Sequence, residues 1–257
     1  MGRLSTFLVL LSAMLIASCG DSRGSLYQAA REGDLEKVQA FLAEGADINQ
    51  LDGGGFTALH ASIIHRHPLV TRYLIEHGAD VDAAGIYGVT PLHVAVDVDT
   101  VRQLLENGAR VDAWAKIRGT PLHAAVNQNS TQAVQLLLES GAPLDAGDVN
   151  GSTALHHAAG KGSKDMALLL IDSGAAVDAV NDLGFTPLHW TAGNGHSGIV
   201  AILLESGATP SLKSSDGAVP RDMALVNSHT DVARLLKDDG ESVRARQTIR
   251  QSTETSD

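Results

Sequence analysis

The stretch Phe-Thr-Pro-Leu-His-Trp-Thr at residues 185–191 decides the fold of this 257-residue chain, because four close copies precede it. The copies read FTALHAS from Phe56, VTPLHVA from Val89, GTPLHAA from Gly119 and STALHHA from Ser152. The intervals between their threonines are 33, 30, 33 and 33 residues, and the threonines are Thr57, Thr90, Thr120, Thr153 and Thr186. Gly-Ala pairs repeat the same intervals, beginning at Gly45, Gly78, Gly108, Gly141, Gly174 and Gly207. Two independent series with one shared shortfall indicate a tandem repeat.

Each repeat is expected to form two helices. The motif threonine begins the first helix, and a proline follows it in the first turn, where no amide is needed, at Pro91, Pro121 and Pro187. The second helix has apolar residues at helical spacing, as in Ile199, Val200, Ile202, Leu203 and Leu204. The glycines at positions 78, 108, 141, 174 and 207 are then expected to end the second helix in a left-handed conformation.

The Thr-Pro-Leu-His-x-Ala motif and the 33-residue period resemble those of the ankyrin repeat family. The resemblance covers residues 25–240 and implies an all-α solenoid of about seven helix-pair units with β-hairpin loops. The expected units lie near residues 25–54, 55–87, 88–117, 118–150, 151–183, 184–216 and 217–240. In this family the motif histidine forms hydrogen bonds around its own turn, so the resemblance implies a structural role for His60, His93, His123, His156 and His189.

Three places depart from the regular repeat. Only Asp97 separates Val96 from Val98, where other repeats have four residues, which predicts a shortened first helix or a tighter turn. The first unit has the helix pair but no Thr-Pro-Leu-His entrance. The last unit has Arg221 and Asp222 in place of leucine and histidine, as expected of a capping unit. Residues 241–257 are polar and without repeats, so we expect a disordered tail.

The amino terminus predicts export. Arg3 precedes a short apolar run, which is typical of a signal peptide over residues 1–18. The sequence Ile16-Ala17-Ser18-Cys19 resembles the lipobox of bacterial lipoproteins, which implies cleavage before Cys19 and lipidation of its thiol, with residues 19–24 as a linker. Gly20 then favours the periplasmic face of the outer membrane over the inner membrane. The alternatives are an ordinary signal peptide with an incidental cysteine, or a cytosolic protein with a misread start.

Composition and motifs exclude several function classes. The net charge of −11 has the wrong sign for a nucleic-acid binder, and a single cysteine excludes an internal disulfide framework. The irregular histidines His65, His67 and His77 lack the Asp or Cys that would complete a metal site. The Gly-x-Gly-x-x-Gly match at residues 193–198 falls between two predicted helices, not after a strand. We therefore expect no metal, no cofactor, no small-molecule substrate and no catalytic residue.

The loop tips between repeats are the positions where a partner is expected, since the fold needs no particular side chain there. Most tips have polar turn-forming residues, but two carry aromatic, aliphatic and basic residues. Such residue types dominate binding hot spots, which makes Ile86, Tyr87, Trp114, Ile117 and Arg118 the predicted centre of a protein-binding surface. Val149 and Leu183 extend the apolar series along neighbouring tips. The alternative is that these side chains pack back on adjacent loops and only stabilise the stack.

The sequence therefore predicts a non-catalytic interaction module in the bacterial envelope, with a lipid-mediated membrane contact. The family resemblance implies that its protein partner binds the loop tips and the concave face of the stack. One specific form is an inhibitor or immunity protein. The alternatives are a scaffold that holds several envelope proteins, or an enzyme with an unrecognised site.

Overall fold

The computed structural model describes residues 24–237, which form fourteen α-helices in seven consecutive pairs. The predicted signal peptide, the predicted lipidation site Cys19 and the tail expected at residues 241–257 lie outside the described residues. The helices are α1 Leu26–Glu32, α2 Leu35–Ala43, α3 Ala58–Ile64, α4 Pro68–Glu76, α5 Pro91–Val94, α6 Val98–Glu106, α7 Pro121–Asn127, α8 Thr131–Glu139, α9 Ala154–Lys161, α10 Lys164–Asp172, α11 Pro187–Asn194, α12 Ser197–Glu205, α13 Pro220–Val226 and α14 Thr230–Leu235. This confirms the all-α repeat fold expected from the sequence.

The loops contain little regular structure. One 3₁₀ turn spans Ile86–Gly88, and residues 24–237 contain no β-strand. The only hairpin-like pairing among them is an isolated antiparallel bridge between Ala115 and Gly119. The expected β-hairpins are thus reduced to tight turns. Within the same range, no helix has the length and apolar character needed to cross a membrane.

The described chain divides into two compact units, the first ending at Pro121 and the second beginning at Leu122. In the first unit the leading helices of successive pairs, α1, α3 and α5, pack against one another, and α2, α4 and α6 form a second layer. Leu59 and Leu92 from the leading helices, with Leu74 and Leu104 from the second layer, are almost completely buried. The core is therefore a stripe between two layers of helices.

The second unit repeats this arrangement. Helices α9, α11 and α13 pack in series, and the second layer packs α10 against α8 and α12, and α12 against α14. Leu155 and Leu188 are buried from the leading helices, and Leu170 and Leu203 are buried from the second layer.

The Thr-Pro-Leu-His motif forms the start of a helix, where the threonine and histidine side chains accept backbone amides that have no carbonyl partner within the helix. In the repeat of α11, the Thr186 hydroxyl accepts from the His189 amide at 3.4 Å, and Nδ1 of His189 accepts from the Thr186 amide at 3.1 Å. The same reciprocal cap begins α3, α5 and α9. Because four amides of a helix start lack partners within the helix, this motif fixes where each repeat begins.

The shortened repeat has the predicted shorter helix. Helix α5 has four residues, whereas the leading helices of the other units have seven or eight. It stops at Ala95, whose backbone is already extended at ψ 124°. Asp97 then caps α6 by accepting from the Thr100 amide at 2.7 Å. The three missing residues are lost from the end of one helix, and the second helix keeps its nine residues.

The helix ends and the terminal units also follow the sequence. The glycines after the second helices have φ between 84° and 93°, the left-handed conformation expected at positions 78, 108, 141, 174 and 207. In the first unit, Ser25 caps α1 through the Gln28 amide at 3.1 Å without the motif. In the last unit, the Asp222 carboxylate accepts from the Val219 amide at 3.1 Å, which replaces the histidine.

Gly162 tests how tightly one repeat packs against the next, because its neighbour His196 belongs to the following repeat. It has φ 75°, and an added Cβ would lie 2.8 Å from the ring of His196, which donates to the Gly160 carbonyl at 3.1 Å. We expect Gly162→Ala to lower the free energy of unfolding by about 1–3 kcal/mol in urea denaturation. Gly198→Ala is the matched control, because that glycine lies in α12 with open space around it. This substitution should raise the free energy of unfolding by up to about 1 kcal/mol. Equal effects at both positions would contradict this account.

Candidate partner-binding surface

All the loop tips close with the same backbone hydrogen bond. The residue five positions before the motif threonine donates its amide to the carbonyl of the residue just before that threonine. In the last unit, Val219 stands in the place of the threonine. The distances are 2.8 to 3.0 Å, and the pairs are Asp52 to Phe56, Gly85 to Val89, Ala115 to Gly119, Asp148 to Ser152, Asn181 to Phe185 and Ser214 to Ala218. The backbone of a tip is therefore fixed by the fold, and its side chains are left to vary.

Three of the six tips have a side-chain acceptor that supports the turn, and the two unusual tips do not. The Oδ1 atoms of Asp52, Asp148 and Asn181 each accept two amides of their own turn, at 2.8 to 3.1 Å. Such turns are the usual role of Asp and Asn in loops. Gly85 and Ala115 hold the equivalent positions and have no side-chain acceptor. These are the two tips that carry the residues predicted to bind a partner.

The tip at residues 115–119 is also built differently. Arg118 replaces the glycine that adopts a left-handed conformation in other tips, at φ 74° in Gly55 and 73° in Gly151. Here the left-handed residue is Gly119, at φ 68°, so the turn has moved by one position. Both Arg118 and Gly119 donate their amides to the Ala115 carbonyl. The shift allows a long side chain where the other repeats need glycine.

The two unusual tips are neighbours in the first unit. The Lys116 amide donates to the Tyr87 carbonyl at 2.9 Å, and the Ile86 amide donates to the Gly55 carbonyl at 3.1 Å. An added Cβ on Gly88 would lie 3.0 Å from the Trp114 carbonyl oxygen, which shows how closely the backbones approach. We call residues 85–88 and 114–118 together the tip pair.

The tip pair exposes large side chains. Tyr87 is 47% exposed, Trp114 50% and Ile117 59%, whereas Ile86 and Arg118 are partly buried. Five predicted residues thus come together in the first unit. Val149 and Leu183, 51% and 59% exposed, lie on tips of the second unit, where the Ser215 amide donates to the Leu183 carbonyl at 2.9 Å.

Arg118 has no charge partner among residues 24–237. Its backbone amide is bonded, but its guanidinium makes no hydrogen bond or ion pair within this range. Burial lowers the pKa of the Arg118 guanidinium below its usual range. A partly desolvated cation without an acceptor is unusual, because its lost hydration is not replaced.

A group of side chains on the leading helices of the second unit is not among the site residues predicted from the sequence. His157 and Trp190 occupy the position after the motif histidine, where Ala61, Val94 and Ala124 stand in other repeats. The His157 Nε2 atom lies 2.9 Å from Asp148 Oδ2, and its ring meets Trp190 edge to face at 5.7 Å. In the sequence, this group could have been found from the change of alanine or valine to a large ring at one repeat position.

The pKa of Asp148 reflects these contacts. Burial raises it, while hydrogen bonds from the Asn150 amide, His157 and the Ser152 amide lower it by more, so the pKa falls below the ordinary 3.8. Next to this group, a cavity of about 210 Å³ is lined by Phe185, His189, Trp190, Gly193, Asn194, Met223 and Asn227. It lies between α11 and α13 on the leading-helix side.

The other histidines and the glycine motif have structural surroundings. His67 Nε2 donates to the Arg31 carbonyl at 2.9 Å, and the His77 ring stacks on Tyr73 at 3.8 Å. Within residues 24–237, no three His, Cys, Asp or Glu side chains are placed to hold a metal ion. The glycines at 193 and 195 end α11, and Gly198 lies in α12, so this segment joins two helices.

Comparison with known proteins shows the family. The model described as Ankyrin repeats (3 copies) matches residues 26–115, 99–181 and 173–247, so the chain belongs to the ankyrin repeat family. Its repeats form a protein–protein interaction module, and the fold is typically a non-catalytic scaffold.

Individual relatives are similar over the repeats. The solved ankyrin repeat domain of Bcl-3 is 32% identical, with a TM-score of 0.70 over 84% of this chain and all of that one. Mouse protein phosphatase 1 regulatory subunit 27 is 43% identical over 67 residues, and palmitoyltransferase akr1 of Schizosaccharomyces pombe is 43% identical over 63. These matches cover 26% and 24% of this chain, and 44% and 10% of the relatives.

Substitutions of Asp148 distinguish two roles of an aspartate at a tip, which are to accept the turn amides and to carry a negative charge. Asp148→Ala removes the acceptor of two turn amides and of His157, and should lower the free energy of unfolding by about 1–3 kcal/mol. Asp148→Asn is the control, because Asn181 naturally accepts the same two amides, and it should cost about 1 kcal/mol or less. Urea denaturation of both variants measures this, and an equal loss would show that the charge matters more than the turn.

Proposed function

We propose that this chain is a non-catalytic protein-binding module, held by a lipid on Cys19 at the periplasmic face of the bacterial outer membrane. The support for the anchor is the sequence Ile16-Ala17-Ser18-Cys19 after an apolar run. Several acyl chains on one residue would give a durable attachment, because each buried methylene contributes about 0.8 kcal/mol. The support for binding is the repeat fold itself and the tip pair.

The observation that carries the binding proposal is the exposure of Tyr87, Trp114 and Ile117 on two adjacent tips. The repeat fold needs only the backbone of these turns, so large apolar side chains there have no evident structural task. A prefolded surface loses little conformational freedom when it binds, which favours affinity. The tip pair is therefore the proposed centre of the interface, and the leading-helix face with Trp190 is a second contact region.

The specific role that we propose is inhibition of an envelope protein, as an inhibitor or immunity protein acts. A scaffold that holds several proteins is the alternative, and it is favoured by the second exposed surface at Val149 and Leu183. The number of proteins recovered in stoichiometric amounts distinguishes the two roles. One partner supports inhibition, and several support a scaffold.

Crosslinked capture from envelope extracts tests the tip pair. We expect the double variant Tyr87→Ala/Trp114→Ala to capture at least tenfold less partner than the wild type, while its melting temperature changes by less than about 3 °C. Leu69→Ala is the control, because Leu69 is an exposed apolar residue on α4 of the same unit and away from the tips. Unchanged capture with a lower melting temperature would show that these side chains stabilise the stack and do not bind.

Metabolic labelling tests the anchor. Cells that express the full chain should incorporate radiolabelled palmitate into it, and Cys19→Ala should lose the label and release the protein from the membrane fraction. Ser18→Ala should keep the label, because a small residue stays before the cysteine. An unlabelled wild-type protein would contradict the lipoprotein proposal and would leave the binding proposal untouched.

A further inference from the structure

The tip pair differs from every other tip in charge. Residues 83–89 and 113–119 contain no acidic residue and two basic ones, Lys116 and Arg118. The other tips each contain at least one acid, and these are Asp52, Asp148, Asp182 and Asp216. The chain as a whole has a net charge of −11. The surface with the largest exposed aromatic residue is therefore locally basic on an acidic protein.

The structure of the other tips shows what an acidic residue contributes at this position. In the tips of Asp52 and Asp148, a carboxylate accepts two turn amides and also places a negative charge at the tip. Gly85 and Ala115 give up this support, and Ala115 is fully buried. The tip pair therefore lacks side-chain hydrogen bonds that stabilise the tips of Asp52 and Asp148, and its surface is basic instead. A loss of local stability at an exposed site is typical of binding positions.

Arg118 is the group that needs an acceptor. Its guanidinium is partly buried and has no hydrogen-bond or ion-pair partner in the described part of the chain. Its backbone is fixed by the bond to the Ala115 carbonyl, so the side chain begins from a defined position. A planar guanidinium can bind both oxygens of a carboxylate at once, and such pairs are stronger than bonds between neutral groups.

We infer that the tip pair binds an acidic segment of a partner protein, with a Glu or Asp carboxylate on Arg118 and a neighbouring apolar side chain against Trp114 and Ile117. This inference rests on the proposal that the tips bind a protein, and it adds the chemistry of the partner. Lys116, exposed beside Ile117, supplies a second positive charge at the edge. The net charge of the chain disfavours a nucleic acid at the same surface, because a polyanion would meet repulsion beyond the tips.

A peptide series tests the inference with the purified full chain. The probe is a fluorescein-labelled peptide of sequence Gly-Glu-Leu-Glu-Phe-Leu-Glu-Gly, and its binding is followed by fluorescence anisotropy at low salt. Three matched peptides replace every Glu by Gln, by Lys or by phosphoserine. We expect the Glu peptide to bind at least tenfold more tightly than the Gln and Lys peptides, with weaker binding as salt rises.

Two charge-matched variants locate the site. Arg118→Glu should weaken binding of the Glu peptide at least tenfold. Lys213→Glu makes the same change in net charge at an exposed tip position of the second unit and should change binding less than twofold. Circular dichroism checks that both are folded, and Arg118→Gln replaces Arg118→Glu if the latter is not.

Several results would overturn the inference. The inference is wrong if the Glu peptide does not bind up to about 1 mM, or if the Gln peptide binds equally well. It is also wrong if the two variants weaken binding equally, or if the phosphoserine peptide binds most tightly. This inference can be wrong while the proposed function is right, and the capture experiment distinguishes the two cases. If envelope capture requires Trp114 but is unchanged in Arg118→Glu, the tips bind a protein and the acidic-segment inference is wrong.

Discussion

In the five tips that follow a motif histidine, one backbone carbonyl accepts two hydrogen bonds, and the arrangement of helices and tips depends on it. It belongs to the residue just before the motif threonine, or before Val219, and it accepts the amide that closes its own tip. It also lies 2.8 to 3.1 Å from Nε2 of the motif histidine of the preceding repeat. The histidine is therefore a buried link between one helix pair and the next tip. Because Nδ1 of the same ring accepts the threonine amide, each ring fixes a helix start and a tip together.

This link requires a neutral ring with its proton on Nε2. Burial lowers the pKa of His60 and of His156 to about 4. A ring protonated on both nitrogens cannot accept the threonine amide at Nδ1. The folded protein therefore binds fewer protons at these rings than the unfolded chain between pH 6.5 and about 4, so their contribution to stability is present above pH 6.5 and falls through that window.

The sequence predicted the parts of the structure that repeat. Periodicity located the helix pairs, the caps at Thr57 and its equivalents, and the short helix before Asp97, because each depends on local backbone bonding. It also singled out Tyr87 and Trp114 as unusual residues at tips. It did not predict that the left-handed residue moves from position 118 to Gly119, since that depends on the whole turn. Nor did it find the contact of His157 with Asp148 and Trp190, which joins a helix to a tip and to the next repeat. Exposure of a tip side chain depends on its neighbours in space, which a linear pattern does not contain.

The most direct test of the central claim is a pH titration of the imidazole nitrogens by two-dimensional nitrogen–proton NMR on the folded chain. The account predicts that His60 and His156 stay as the neutral Nε2–H form well below pH 6 and titrate near pH 4. It also predicts that the amides of Gly85 and Asn181, which share the acceptor carbonyls, shift in the same step. Titration of these two rings near pH 6.5, or tip amides that do not respond, would contradict the claim that buried neutral histidines hold the tips in place.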